Sequence, residues 1–102
     1  MQPLIEARHA EVADLCRKHH VRRLEVFGSA TRNDFDPASS DLDFLVEFEP
    51  ITPVAYAQAY FSLKDALEAL FSRPIDLVTS ASVNNPYFRA SLAASSESVY
   101  AV

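Results

Sequence analysis

One glycine in 102 residues is the tightest constraint this chain places on its own fold. Helix ends and sharp turns commonly use glycine, because a backbone without a β-carbon reaches positive φ at little cost. Here every such place but one is managed with another residue. The single glycine, Gly28, closes the short strand signal Leu24, Val26 and Phe27 and is followed by Ser29. At a strand end, glycine permits a tight turn and a close approach of the backbone to a ligand. If Ser29 opens a short helix, its N–H groups and hydroxyl could receive a phosphate. Taken alone, a Gly-Ser pair is also common punctuation between strand and loop.

The remaining elements follow from periodicity and breakers. Leu4, Ile5, Val12, Leu15 and Cys16 recur at helical spacing, with Pro3 suited to a first turn, and predict an amphipathic helix over residues 4–19. Residues 30–40 are rich in Thr, Asn, Asp, Pro and Ser and read as turn and loop. Asp41 to Phe48 alternates, with Leu42, Phe44, Val46 and Phe48 on one face and Asp41, Asp43, Leu45 and Glu47 on the other, which predicts a half-buried strand. Thr52-Pro53 caps and starts a long helix carrying Tyr56, Tyr60, Leu63, Leu67 and Leu70, and Pro74 stops it. Ile75 to Thr79 reads as a third strand, Asn85-Pro86 as the start of a shorter helix to about Leu92, and Ser98 to Val102 as a closing strand. The order α-β-β-α-β-α-β predicts an α+β or α/β sheet backed by helices, in one domain spanning residues 1–102.

Composition narrows the chemistry. Hydrophobic residues make up 49% and charged residues 23%, the balance of a folded globular chain and not of a disordered one. No apolar run approaches the ~18 residues of a membrane span. Residues 1–10 contain Glu6, Arg8 and His9 in place of an apolar signal region, and Cys16 has no internal disulfide partner, so a cytoplasmic protein is expected. The net charge of −5 disfavours unaided binding to a long polyanion, although Arg17-Lys18 and Arg22-Arg23 keep nucleic acid open as a partner. The same balance suits a small anionic ligand held through metal ions, which invert the local sign of a carboxylate cluster.

Three acids are candidates for that cluster. Asp41 and Asp43, two apart on a strand, project from one face, where like charges repel unless a cation lies between them. Carboxylates on a rigid strand suit Mg²⁺, which takes one or two of them together with waters and phosphate oxygens. The plainer alternative is the solvent face of a half-buried strand. Asp76 interrupts the apolar run Ile75-Asp76-Leu77-Val78, and an edge or solvent position would also account for it. Should its strand lie beside that of Asp41 and Asp43, three carboxylates converge and could hold two metal ions ~4 Å apart, as in-line nucleotidyl displacement requires. His19-His20 reads as a helix C-cap, and Tyr56, Tyr60 and Phe61 read as core.

Together, Val26-Phe27-Gly28-Ser29-Ala30-Thr31-Arg32, Ser40-Asp41-Leu42-Asp43-Phe44-Leu45-Val46 and Pro74-Ile75-Asp76-Leu77-Val78 resemble the minimal nucleotidyltransferases (MNT) of the DNA polymerase β-like superfamily. The resemblance runs from about Val21 to Tyr100. It implies a small mixed β-sheet backed by helices. Gly28 and Ser29 would bind the triphosphate of an NTP, Asp41 and Asp43 would ligate Mg²⁺, and Asp76 would complete the metal site and help activate the attacking hydroxyl. Arg32 matches a basic position that touches phosphate, with a salt bridge to Asp34 or Asp36 as its alternative. Family members often place glycine after that arginine. This chain has Asn33, the side chain next best suited to left-handed backbone.

The resemblance further implies transfer of NMP, AMP from ATP first among the choices, to a hydroxyl. The acceptor it points to is a helical HEPN-type partner, in a toxin–antitoxin pair where this chain is the antitoxin. Two other readings stay open: an antitoxin that masks such a partner by contact without catalysis, and an NTP sensor without turnover.

Overall fold

The alternating run Leu42–Phe48 forms a strand that organises the molecule, while the turn and loop expected over residues 30–40 lie outside the described residues. In the structure, a computed structural model that describes residues 3–28, 41–80, 85–87, 90 and 96–102, the element order is α1 (Pro3–Glu6), α2 (His9–Lys18), β1 (Val21–Phe27), β2 (Leu42–Phe48), α3 (Pro53–Phe71), β3 (Ile75–Thr79) and β4 (Glu97–Ala101). The strands form one mixed sheet in the order β3-β2-β1-β4. β1 pairs antiparallel with both β2 and β4, and β2 pairs parallel with β3. The parallel pair requires a crossover, which α3 supplies. The architecture is α+β, as the element order predicts.

Burial alternates along β2, so one sheet face carries the core. Leu24, Val26, Leu42, Phe44, Val46, Ile75, Leu77 and Val99 pack there against Ile5, Val12 and Cys16 of the first helices and Ala59, Leu63, Leu67 and Phe71 of α3. Phe44 stacks on Phe71 with ring centroids 6.2 Å apart, and Phe48 meets Tyr56 edge-on at 4.9 Å. Leu63 and Leu67 are fully buried, each contributing about 1.5–3 kcal/mol of transfer free energy. Among the described residues no helix is long and apolar enough to cross a membrane.

α3 begins as its sequence predicts: the Thr52 hydroxyl accepts the Ala55 N–H at 3.2 Å, and Pro53 occupies the first helical position. It ends on Ser72 in the left-handed region (φ 53°), and the turn after α2 places His20 there (φ 59°). His19 caps α2, its Nδ1–H donating to the Leu15 carbonyl at 2.7 Å. Residues other than glycine thus take these left-handed positions.

Three expectations are corrected. The helix expected over residues 4–19 divides at Ala7 and Arg8 into α1 and α2, although Ile5, Val12 and Cys16 still share the core. β1 starts at Val21, ahead of the strand signal, because a register shift between Val21 and Arg23 leaves Arg22 and Arg23 both exposed and conceals the alternation. Phe61 is 64% exposed: it lies two residues, about 200° of helical rotation, from both Ala59 and Leu63, which are buried. Half of the helix expected from Asn85 to Leu92 lies outside the described residues; within them, Asn85 Oδ1 accepts the Tyr87 N–H at 2.9 Å.

Candidate active site

Parallel pairing of β2 with β3 sets Asp43 directly opposite Asp76. On either side of this pair, Leu42 faces Ile75 and Phe44 faces Leu77, all four buried beneath the helices. Side-chain alternation therefore sends both carboxylates to the other face of the sheet. Asp43 is half-buried and Asp76 exposed.

The other neighbour of Asp43 is Phe27, its antiparallel partner on β1, which is buried with Leu45 and Val78 in a small apolar cluster on the same face. Leu45 and Val78 are the next residues on that face after Asp43 and Asp76. The acid pair thus has an apolar boundary along the sheet. The signal for this boundary is in the sequence, since Leu45 is the apolar exception on the polar side of the β2 alternation.

Gly28 follows Phe27 with φ +72°. Its backbone lies against the Asp43 side chain so closely that a β-carbon on residue 28 would overlap Asp43 Oδ2 and sit 3.2 Å from Cγ. A left-handed φ alone does not require glycine in this chain, as His20 and Ser72 demonstrate. Contact with the carboxylate adds a second cost, because the Asp43 side chain would have to turn away from a β-carbon. The one glycine stands where backbone and acid must come together.

Asp41 precedes β2 and is exposed, one residue before the Leu42 N–H that donates to the Pro74 carbonyl at 3.4 Å. Asp41, Asp43 and Asp76 do not close into a three-ligand set: among the described residues, no group of three His, Cys, Asp or Glu side chains is arranged to hold a metal ion. The register supplies a pair of facing carboxylates, and like charges across neighbouring strands favour side-chain rotamers that separate them. Two hard oxygen donors beside a glycine cradle are still the chemistry that Mg²⁺ and a phosphate ester use. Ser29 and Arg32 lie outside the described residues.

The basic residues that kept a polyanion in view are largely paired. Arg23 Nη2 meets Glu47 at 2.8 Å and its Nε meets Glu25 at 3.2 Å, Arg22 lies 3.8 Å from Glu47, and Arg17 pairs with Asp14. Glu25 also accepts a hydrogen bond from the Ser96 hydroxyl at 2.7 Å. These arginines build no continuous basic stripe of the kind that tracks a phosphate backbone.

The model of the nucleotidyltransferase domain family matches residues 11–97. A relative from Methanocaldococcus jannaschii, named "Putative protein adenylyltransferase", is 30% identical over 91 residues, covering 81% of this chain and 89% of the relative. A solved structure described as a "putative minimal nucleotidyltransferase" is 30% identical and superposes with a TM-score of 0.68 over 95% of each chain. A solved complex of a tri-AMPylated HEPN toxin with an MNT antitoxin, from Shewanella oneidensis, shares the fold with a TM-score of 0.65 at 15% identity, covering 96% of this chain and 73% of that one.

Proposed function

We propose, from the premise that this chain belongs to the nucleotidyltransferase domain family, that it moves AMP from ATP to a hydroxyl on a helical partner protein, as the antitoxin of a HEPN/MNT pair. The chain is a nucleotidyltransferase; the nucleotide, the acceptor and the pairing are our reading. The observation that supports transfer at this site is the register of Asp43 against Asp76 beside the Gly28 backbone. Two acids facing one another beside a closely approaching backbone suit a phosphate ester held through Mg²⁺.

Gly28, with Ser29 after it, holds the triphosphate through backbone N–H groups and hydroxyl, and Arg32 adds positive charge. Asp41 and Asp43 would present carboxylate oxygens to Mg²⁺, and Asp76 would share in that site. Bound Mg²⁺ would neutralise charge developing on the α-phosphate and on the departing pyrophosphate. The acceptor oxygen attacks the α-phosphorus and forms the new ester bond. The bond to the bridging oxygen breaks, and pyrophosphate leaves with the electron pair. The hydroxyl proton passes to an Asp76 carboxylate oxygen. Fixed placement of the two reacting groups is the scaffold's main contribution, worth several kcal/mol of barrier in systems of this kind.

Support for a protein acceptor comes from the relatives named as protein adenylyltransferases and from the AMPylated toxin in the similar complex. It also comes from the arginines being engaged with glutamates and aspartate. The test is mass spectrometry of the neighbouring gene product after incubation with this protein and Mg-ATP. Added AMP on a tyrosine of the partner is the expected result. A stable complex without added mass would replace transfer by masking, ATP bound without complex or transfer would leave a sensor, and label on RNA would replace the protein acceptor by a nucleic acid.

A further inference from the structure

Among the described residues β3 is an edge strand, paired with β2 on one side only. Backbone groups of successive strand residues point to alternate sides, so half of those on β3 face away from the sheet. Two of these outward groups flank Asp76, and both are taken by side chains of α3. The Ile75 N–H donates to Glu68 Oε2 at 3.2 Å. The Leu77 carbonyl accepts the Tyr60 hydroxyl at 2.6 Å. Both bonds are partly buried, where a hydrogen bond is held more firmly than at an open surface.

From this arrangement we infer that Glu68 and Tyr60 are positioning residues for Asp76, clamping the residues before and after it so that its carboxylate stays in register with Asp43. The inference rests on the catalytic reading of Asp76 given above. Tyr60 and Glu68 lie eight residues apart on α3, about two helical turns, and reach β3 from the same side. Neither touches the reacting atoms. An edge strand without such contacts is free to fray on its outer side, and a carboxylate carried on a fraying strand is misplaced by a fraction of an ångström or more. Misplacement on that scale costs transfer chemistry far more than it costs nucleotide binding. The clamp also occupies outward backbone groups that another strand would need in order to add to this edge.

The experiment compares Tyr60→Phe, which removes only the hydroxyl, with Glu68→Leu, which removes the acceptor, and Glu68→Gln, which keeps an oxygen able to accept the Ile75 N–H. Three readouts are taken on each full-length protein: hydrogen exchange of the β3 amides without nucleotide, Mn²⁺ binding by calorimetry, and transfer kinetics well below the melting temperature. In Tyr60→Phe and Glu68→Leu, exchange at residues 75–79 should rise selectively and Mn²⁺ should bind more weakly. For both, kcat should fall about tenfold or more while KM for ATP stays within about twofold. Glu68→Gln should restore most of the exchange protection and of kcat. Unchanged β3 exchange, or a Glu68→Gln variant as impaired as Glu68→Leu, would overturn the clamp. Wild-type protein that transfers nothing to any acceptor would instead sink the catalytic reading, with exchange and Mn²⁺ binding still deciding whether the clamp exists.

Discussion

Gly28 and the Asp43 carboxylate lie in adjoining space, and a β-carbon built on residue 28 overlaps Oδ2 unless the acid turns away. Gly28→Ala therefore meets two penalties, a left-handed φ of +72° and a displaced acid. Stability should fall by about 1–2 kcal/mol from the backbone alone, and Mg-ATP affinity should fall with it. Thermal melting and titration calorimetry measure the two effects separately. Wild-type affinity in a folded Gly28→Ala protein would show that this backbone does not receive phosphate.

Asp43→Asn should cut transfer by about 100-fold or more, on the scale of losing one electrostatic contact to a transition state. The fold should not suffer. In metal-free buffer, removing one of two facing negative charges should leave the melting temperature unchanged or slightly higher, cross-strand pairs being worth about 0.2–1 kcal/mol. A clear drop in melting temperature would make Asp43 a structural residue and weaken the site.

Mg²⁺ should raise the melting temperature of the wild-type protein, because a ligand that binds only the folded state stabilises it in proportion to the logarithm of its concentration. The double variant Asp43→Asn, Asp76→Asn should lose that dependence. Equal Mg²⁺ stabilisation in both proteins, followed by scanning fluorimetry, would place the ion elsewhere.

Cys16 offers a pH test away from the site. Burial raises its thiol pKa from 9.0 to about 12, with Arg17 acting weakly in the opposite direction. The native thiol should resist iodoacetamide at pH 8, where the unfolded chain reacts. Because the folded pKa is the higher one, the native state holds its proton while the unfolded state loses it. This contribution to stability is complete below pH 9 and declines as pH rises toward about 12. Wild-type stability minus that of Cys16→Ala should fall across that window, and a flat difference would contradict the assignment.

Thr52→Ala removes the oxygen that accepts the Ala55 N–H and should cost about 1 kcal/mol. Urea denaturation checks the value. No loss would mean that Pro53 alone sets the start of α3.

What could be read from the residues was what is local. Alternation in Leu42–Phe48 shows which face Asp43 takes, and Thr52-Pro53 marks the start of α3, because each signal is complete within a few positions. The division at Ala7 and Arg8 carries no glycine or proline, so periodicity passes straight through it. Phe61 has the right chemistry for a core and the wrong angle. The pairing of Asp43 with Asp76 depends on which strands become neighbours, and only resemblance to a family anticipated it. The partners of Glu68 and Tyr60 are backbone atoms of another element, and backbone atoms are the same in every sequence.

The parallel pairing of β2 with β3 also has a kinetic meaning. β1 and β2 are successive strands paired antiparallel, whereas β3 reaches β2 only after the whole of α3 has been traversed. Contacts that must close a longer loop form later, as chain entropy is lost before they repay it. Gly28 and Asp43 can therefore meet early in folding, while Asp76 arrives with the docking of α3. On the proposed reading of these acids, a chain still on the ribosome, or one stalled as a collapsed intermediate, would lack the partner that Asp76 gives Asp43. Catalytic competence would then be a late event, coupled to the same step that seals the hydrophobic core.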